Sequence, residues 1–287
     1  QLMNFFYSLQ DVKISLERIN EIHQMDDENG KEGLQTSIED KNDGIDIKTI
    51  MFKYDPHALR KTIDDVNIHI PQGKVTAIVG ASGSGKTTLI RLMLGYYPVL
   101  EGQINIGNTD INKLNKKWWH RQCGVVMQEG VIFSESIARN IAVDDGDIDK
   151  ERLLKAAEIA CIKDIVMALP LKFNTKIGRD GVGLSQGQKQ RILIARAVYK
   201  NPDYIFLDEA TNSLDANNER SIVENLDKFY KGKTVVIVAH RLSTVKNADQ
   251  IVVIDHGKVV EEGNHESLTA KRGAYYNLVK NQLELGN

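Results

Sequence analysis

The chain has 287 residues, 26% of them charged, and is long enough to bury one sizeable core plus a smaller lobe. Its 37 Lys and Arg against 39 Asp and Glu give a net charge of −2, which excludes the overall basic footprint of a nucleic-acid binder. The two cysteines, Cys123 and Cys161, lie too far apart in sequence to suggest a disulfide framework or zinc site, as expected of a reduced, cytosolic setting. No apolar run approaches the length of a membrane span, and no signal-peptide pattern is present.

The chain begins at Gln1 rather than Met. Leu2, Phe5, Leu9, Val12, Leu16 and Ile19 recur at spacings of three and four, predicting an amphipathic helix within residues 1–25. Such a helix is either peripheral to the domain that follows or the tail of a segment that precedes it. Residues 26–44 are polar, charged and punctuated by glycine, which reads as a linker with a domain running from 45 to 287. Ile45–Lys53 and Asp65–Ile70 cluster β-formers and predict two strands paired around the loop Asp55–Arg60.

Val75–Val79 is apolar and β-branched, a buried strand, and Thr88–Leu94 has helical spacing up to Gly95. Between them stands Gly80-Ala81-Ser82-Gly83-Ser84-Gly85-Lys86-Thr87-Thr88. A glycine-rich turn from a strand into a helix N-terminus converges backbone N–H groups on one point, where the helix dipole favours an anion. In such a loop Lys86 reaches the β- and γ-phosphates of a nucleoside triphosphate, and the Thr87 hydroxyl ligates Mg²⁺.

Gln103–Ile106 and Gly124–Met127 predict short strands, the second leading to a turn at Gln128-Glu129-Gly130. Ile148–Leu169 and Gln186–Tyr199 read as helical. Tyr204–Leu207, Thr234–Ala239 and Ile251–Ile254 are apolar runs typical of a parallel sheet buried on both faces, with helices at Asn217–Tyr230 and Tyr275–Leu283. This alternation predicts an α/β core carrying a helical insertion at about residues 130–190.

Tyr204–Leu207 runs into Asp208-Glu209. Beside a phosphate loop, a strand-end Asp holds Mg²⁺ through its water shell, and the next Glu is placed to polarise an attacking water. Ser185 and Gln188 have the spacing of a capping box before the apolar-periodic Ile192-Leu193-Ile194-Ala195. That is a second helix N-terminus, and its small residues Ser185 and Gly187 let a phosphate approach the backbone.

Taken together, these segments resemble the nucleotide-binding domain of ABC transporters, from about Ile45 to the C-terminus. Gly80–Thr88 resembles the Walker A loop, Ile205–Asp208 the Walker B strand, and Leu184–Gln188 the ABC signature. The resemblance implies a P-loop NTPase fold of the RecA-like kind: a parallel-sheet core, an antiparallel β subdomain and an inserted α-helical subdomain. It further implies ATP and Mg²⁺ as ligands, with Glu209, His240 and Lys86 catalytic. Gly80, Ala81, Ser82, Gly83, Ser84, Gly85, Lys86, Thr87 and Thr88 would cradle the phosphates, and Tyr54 would stack on adenine. Thr87, Gln128 and Asp208 would hold the metal. Ser185, Gly187 and Gln188, with Asp215 of Ser213-Leu214-Asp215, would meet the nucleotide of a second copy docked head to tail. Two departures stand out: Gln186 where the family has Gly in its signature, and Arg179, within Gly178-Arg179-Asp180-Gly181, where exporters usually have Glu.

The N-terminal helix, ending Ser15-Leu16-Glu17-Arg18-Ile19, resembles the end of an exporter's last transmembrane helix. The implied partner is therefore a transmembrane domain, with the ATPase domain at the cytoplasmic face of the membrane and no nucleic acid bound. The spelling of Leu184–Arg191 and Ala210–Asp215 is most similar to bacterial peptidase-containing exporters of peptides and bacteriocins. A soluble ABC ATPase of DNA repair or translation is the alternative, although its usual coiled-coil insert or tandem domain is not in this chain.

Overall fold

The computed structural model describes residues 2–24, 33–40, 43–143, 146–179, 181–214, 216–239 and 241–285. Strands β1 (Ile45–Phe52) and β2 (Ile63–Ile70) pair antiparallel, Ile45 opposite Ile70 and Phe52 opposite Ile63. With β4 (Glu101–Ile106) and β5 (Thr109–Asp110) they form a four-stranded sheet in the order β2-β1-β4-β5. The second sheet takes β3 (Val75–Val79), β6 (Cys123–Val126), β7 (Tyr204–Asp208), β8 (Thr234–Val238), β9 (Gln250–Asp255) and β10 (Lys258–Gly263) in the order β10-β9-β3-β8-β7-β6. Its strands are parallel except β10, which returns antiparallel beside β9.

The continuous apolar runs of β7 and β8 are buried at every position because both faces of this sheet are covered. Alternate side chains feed two cores. Ala77, Leu207, Ile237 and Val253 pack with Ile192 and Ile194 of α7 (Gln186–Lys200) and with Ile222 and Leu226 of α8 (Ala216–Phe229). Ile78, Phe206, Val238 and Ile254 face the other way, against Ile45, Ile63 and Ile70 of the antiparallel sheet and Leu89 and Leu92 of α2 (Lys86–Met93). The antiparallel sheet and α2 therefore share one core.

Between β6 and β7 lie α4 (Ile137–Ala142), α5 (Lys150–Ile159), α6 (Lys163–Ala168) and α7, the inserted helical part. The single helix expected over Ile148–Leu169 is two. α5 stops at Ala160, and Cys161 takes a left-handed φ of +52°, which turns the buried Ile162 inward ahead of α6. No glycine or proline marks that break, so the sequence pattern ran through it. Short elements between the motifs also went unread: α3 (Lys116–Gln122), α9 (Leu242–Val245), β10 and α10 (His265–Lys271). α11 (Ala274–Leu285) closes the described chain.

α1 (Leu2–His23) is a helix as the spacing predicts, yet Phe5, Leu9, Val12, Leu16 and Ile19 are all exposed. Of the stretch read as a linker, residues 33–40 are held against the domain. The Gln35 N–H donates to the Lys113 carbonyl (2.8 Å), the Asn108 N–H donates to the Glu39 carbonyl (2.9 Å), and Ile38 is buried in the core of the antiparallel sheet.

Candidate functional site

β8 alone separates β3 from β7 in the sheet, so the loop after β3 and the carboxylates after β7 emerge side by side at the carboxyl ends of the strands. That edge is where open α/β sheets bind ligands. The turn into α2 passes through Gly85 at φ +106°, where a Cβ would lie 2.9 Å from the Thr62 carbonyl oxygen. Gly85 is the N-cap of α2 and brings no side-chain cap, so the first N–H groups of the helix face outward without a side-chain acceptor.

Lys86 is buried, and its Nζ donates to the carbonyl oxygens of Gly80 (2.9 Å) and Ala81 (2.8 Å). Burial pushes its ammonium group below the ordinary lysine range, and the charges of Glu209 and Asp208 pull it back up. The result is a buried ammonium group at the start of a helix whose N-terminus has no side-chain cap, an electropositive setting suited to phosphate.

Asp208 is fully buried at the end of β7, and neither carboxylate oxygen has a hydrogen-bond partner of good geometry. Burial raises its pKa above the ordinary aspartate range, and the Thr87 hydroxyl pulls against that rise. Glu209 follows with a left-handed φ of +52°, uncommon for a residue with a side chain. Its N–H donates to the Val238 carbonyl (3.0 Å), and its Oε2 accepts from Asn212 Nδ2 (2.7 Å). Ser82, Lys86, Thr87, Gln128 and Glu209 line one cleft.

The Thr87 hydroxyl, the Gln128 amide and the buried Asp208 carboxylate form a hard oxygen set suited to Mg²⁺. Among the described residues no three His, Cys, Asp or Glu gather as a metal cluster, so such an ion would depend on phosphate and water for its remaining ligands. Tyr54 stands beyond β1, about half exposed, with its hydroxyl 3.1 Å from Thr88 Oγ1 on the phosphate side.

The residues of the second helix N-terminus do not line this cleft. Ser185 caps α7 in a full capping box: its Oγ accepts from the Gln188 N–H (3.2 Å), and its own N–H donates to Gln188 Oε1 (3.0 Å). Gly187 packs against the Ser213 carbonyl, which a Cβ would meet at 3.0 Å. Gln186 and Arg179 are exposed. Asp215 and His240 lie outside the described residues.

Three contributors escaped the sequence reading. Asn212 holds Glu209, as above. Arg241 forms an ion pair with the buried Glu219 and donates from Nη2 to the Asn212 carbonyl (3.3 Å). Glu219 also accepts from the Thr211 hydroxyl (3.4 Å). The one signal for Arg241 was its place beside His240; Glu219 looked like any acidic residue in the first turn of a helix.

The model of the ABC transporter family matches residues 63–212, half of the chain, from β2 to the loop after β7. The Toxin RTX-III translocation ATP-binding protein of Actinobacillus pleuropneumoniae is 42% identical over 287 residues, covering 99% of this chain and 39% of its own. The leukotoxin translocation ATP-binding protein LktB of Mannheimia haemolytica is 40% identical over 285 residues, covering 99% of this chain and 40% of its own. Among solved structures, a bacterial Atm1-family ABC exporter with ATP bound superposes with a TM-score of 0.88 at 29% identity, over 97% of this chain and 49% of that one. This chain therefore spans about two fifths of the length of those curated relatives. A glycine-rich loop and paired strand-end carboxylates on one sheet edge, the family match and relatives at 40–42% identity agree: the chain belongs to the ABC transporter family.

Proposed function

We propose that the chain binds ATP with Mg²⁺ in the cleft beside Gly80–Thr88 and hydrolyses it as one of two copies docked head to tail. Hydrolysis would power export of a polypeptide through a transmembrane domain at the cytoplasmic face of the membrane. The observation that carries the reading is the fully buried carboxylate of Asp208, with the Thr87 hydroxyl against it, followed by Glu209, which lines one cleft with Lys86 and Thr87.

In this reading the loop amides of Gly80–Thr88 and the Lys86 ammonium hold the phosphates, and Tyr54 receives the adenine. Thr87, Gln128 and Asp208 would hold Mg²⁺, which would supply neutralisation of phosphate charge. Glu209 orients a water for in-line attack on the γ-phosphorus and takes up its proton. The water oxygen bonds to phosphorus as the bond to the β-phosphate oxygen breaks, leaving ADP and inorganic phosphate. Lys86 and His240 stabilise the charge developing on the transferred group.

Ser185 is exposed and lies outside this cleft, which supports placing it, with Gly187, Gln188 and Asp215, over the nucleotide of the second copy. The cargo reading rests on relatives whose names speak of toxin and leukotoxin translocation, which favours a protein cargo over the shorter bacteriocin peptides.

Replacing Glu209 with Gln keeps the shape of the side chain and removes its basicity. ATP turnover is expected to fall about 100-fold or more while ATP binding persists, and the variant with ATP should sediment as a dimer. Turnover near the unmutated rate overturns the assignment.

A further inference from the structure

Tyr54 is held from two directions. Thr88 and Arg91 stand three residues apart on α2, on one face of the helix. Arg91 Nη1 donates to the Tyr54 hydroxyl oxygen (3.3 Å), which leaves the proton of that hydroxyl free for Thr88 Oγ1 at 3.1 Å. The ring itself is wedged in an aromatic triangle. It meets Phe52 edge to face at 4.9 Å and 85°, and Tyr97 at 5.3 Å and 87°, while Phe52 and Tyr97 lie 5.6 Å apart. Phe52 is buried at the end of β1; Tyr97 comes from the loop after α2 and is 39% exposed. Edge-to-face pairs at these separations are attractive beyond the area they bury.

We propose that Tyr97 and Arg91 are positioning residues for base recognition: they lock the Tyr54 ring so that a nucleotide base meets a platform already in place. The inference rests on the reading of Tyr54 as the base-stacking residue. A tyrosine has only two side-chain torsions, and fixing both beforehand removes the ordering cost from the binding step. Because Thr88 follows Thr87, the same clasp ties the base platform to the phosphate loop through α2.

The test compares two probes on the full chain by calorimetry, MgATP and inorganic tripolyphosphate with Mg²⁺, with Tyr54→Ala as reference. Tyr97→Ala should weaken ATP binding about fivefold, the scale of one aromatic pair, and leave tripolyphosphate unchanged. Tyr97→Phe, which keeps the ring, should restore wild-type affinity, and Arg91→Met should show a smaller loss confined to ATP. Unchanged ATP binding in Tyr97→Ala, where Tyr54→Ala is impaired, overturns the inference. So does an equal loss for both probes, which marks damage to the phosphate loop rather than to the platform. If Tyr54→Ala binds ATP as the unmutated chain does, the base-stacking reading itself fails and takes the inference with it.

Discussion

Two helix N-termini to which we assign the phosphate contacts are finished in opposite ways. α2 begins at a glycine in a left-handed conformation with no side-chain cap, so its first N–H groups are left for a ligand. α7 begins at Ser185 with a reciprocal capping box, so part of its need is met from within. The first end, in the proposed function, would be completed by an anion. The second is stable on its own, and the Ser185 hydroxyl, already accepting from Gln188, still has its proton to donate to a phosphate oxygen. An end that must remain exposed until a partner arrives benefits from a cap of its own, whereas an end sunk beside a buried lysine does not need one.

Breaking the α2 end should have the larger consequence. Lys86→Met keeps the length of the stem and removes the charge, and ATP affinity measured by calorimetry is expected to drop about 100-fold, the scale of a buried charged partner lost.

Asp208 offers a sharper contrast, because the role proposed for it and the stability of the fold oppose each other. Asp208→Asn removes the charge of a fully buried carboxyl whose burial outweighs the pull of Thr87, Arg91 and Lys86, and the fold should gain about 1 kcal/mol at neutral pH while Mg²⁺-dependent ATP binding is expected to be lost. The folded-state pKa of Asp208 lies above the unfolded value of 3.8, so the native state holds more protons there and stability falls as pH rises through that window. Denaturant melts of the two proteins should therefore agree below about pH 4 and diverge as pH rises. Parallel curves at all pH values would show that Asp208 is not strained by burial.

The α7 end should respond least. Ser185→Ala is expected to cost about 1 kcal/mol of stability, read as a lower melting temperature, through loss of the cap. ATP binding by a single copy should stay unchanged, while ATP-dependent dimerisation of the Glu209→Gln background should weaken. A loss of ATP affinity in the single copy would erase the distinction between the two helix ends.

Much of this was legible in the residues. Gly80–Thr88, Asp208-Glu209 and Ser185–Gln188 announce themselves because phosphate chemistry tolerates few residue types at fixed spacing, and each motif sits at a junction whose flanks carry a clear strand or helix period. The continuous runs of β7 and β8 likewise declare a sheet covered on both faces. The break at Cys161 was invisible, because a non-glycine residue accepts a left-handed φ only where surrounding packing enforces it. Residues 33–40 looked like a linker because their attachment is mostly through backbone hydrogen bonds, which leave no trace in residue type.

The order of residue types sets the local chemistry: which strand ends carry carboxylates, which helix ends carry glycine or a cap, and where a lysine follows a glycine-rich turn. These are local properties, set by spacing and by the few residues each turn admits. Which of them meet follows from the folding of distant segments. The strand order β3-β8-β7 brings Lys86 and Glu209 to one cleft, the fold around α2 and Tyr97 locks the Tyr54 ring, and Ser185 is left outside that cleft. Sheet order and the packing of distant loops depend on contacts between residues far apart in the chain, and no local pattern encodes them.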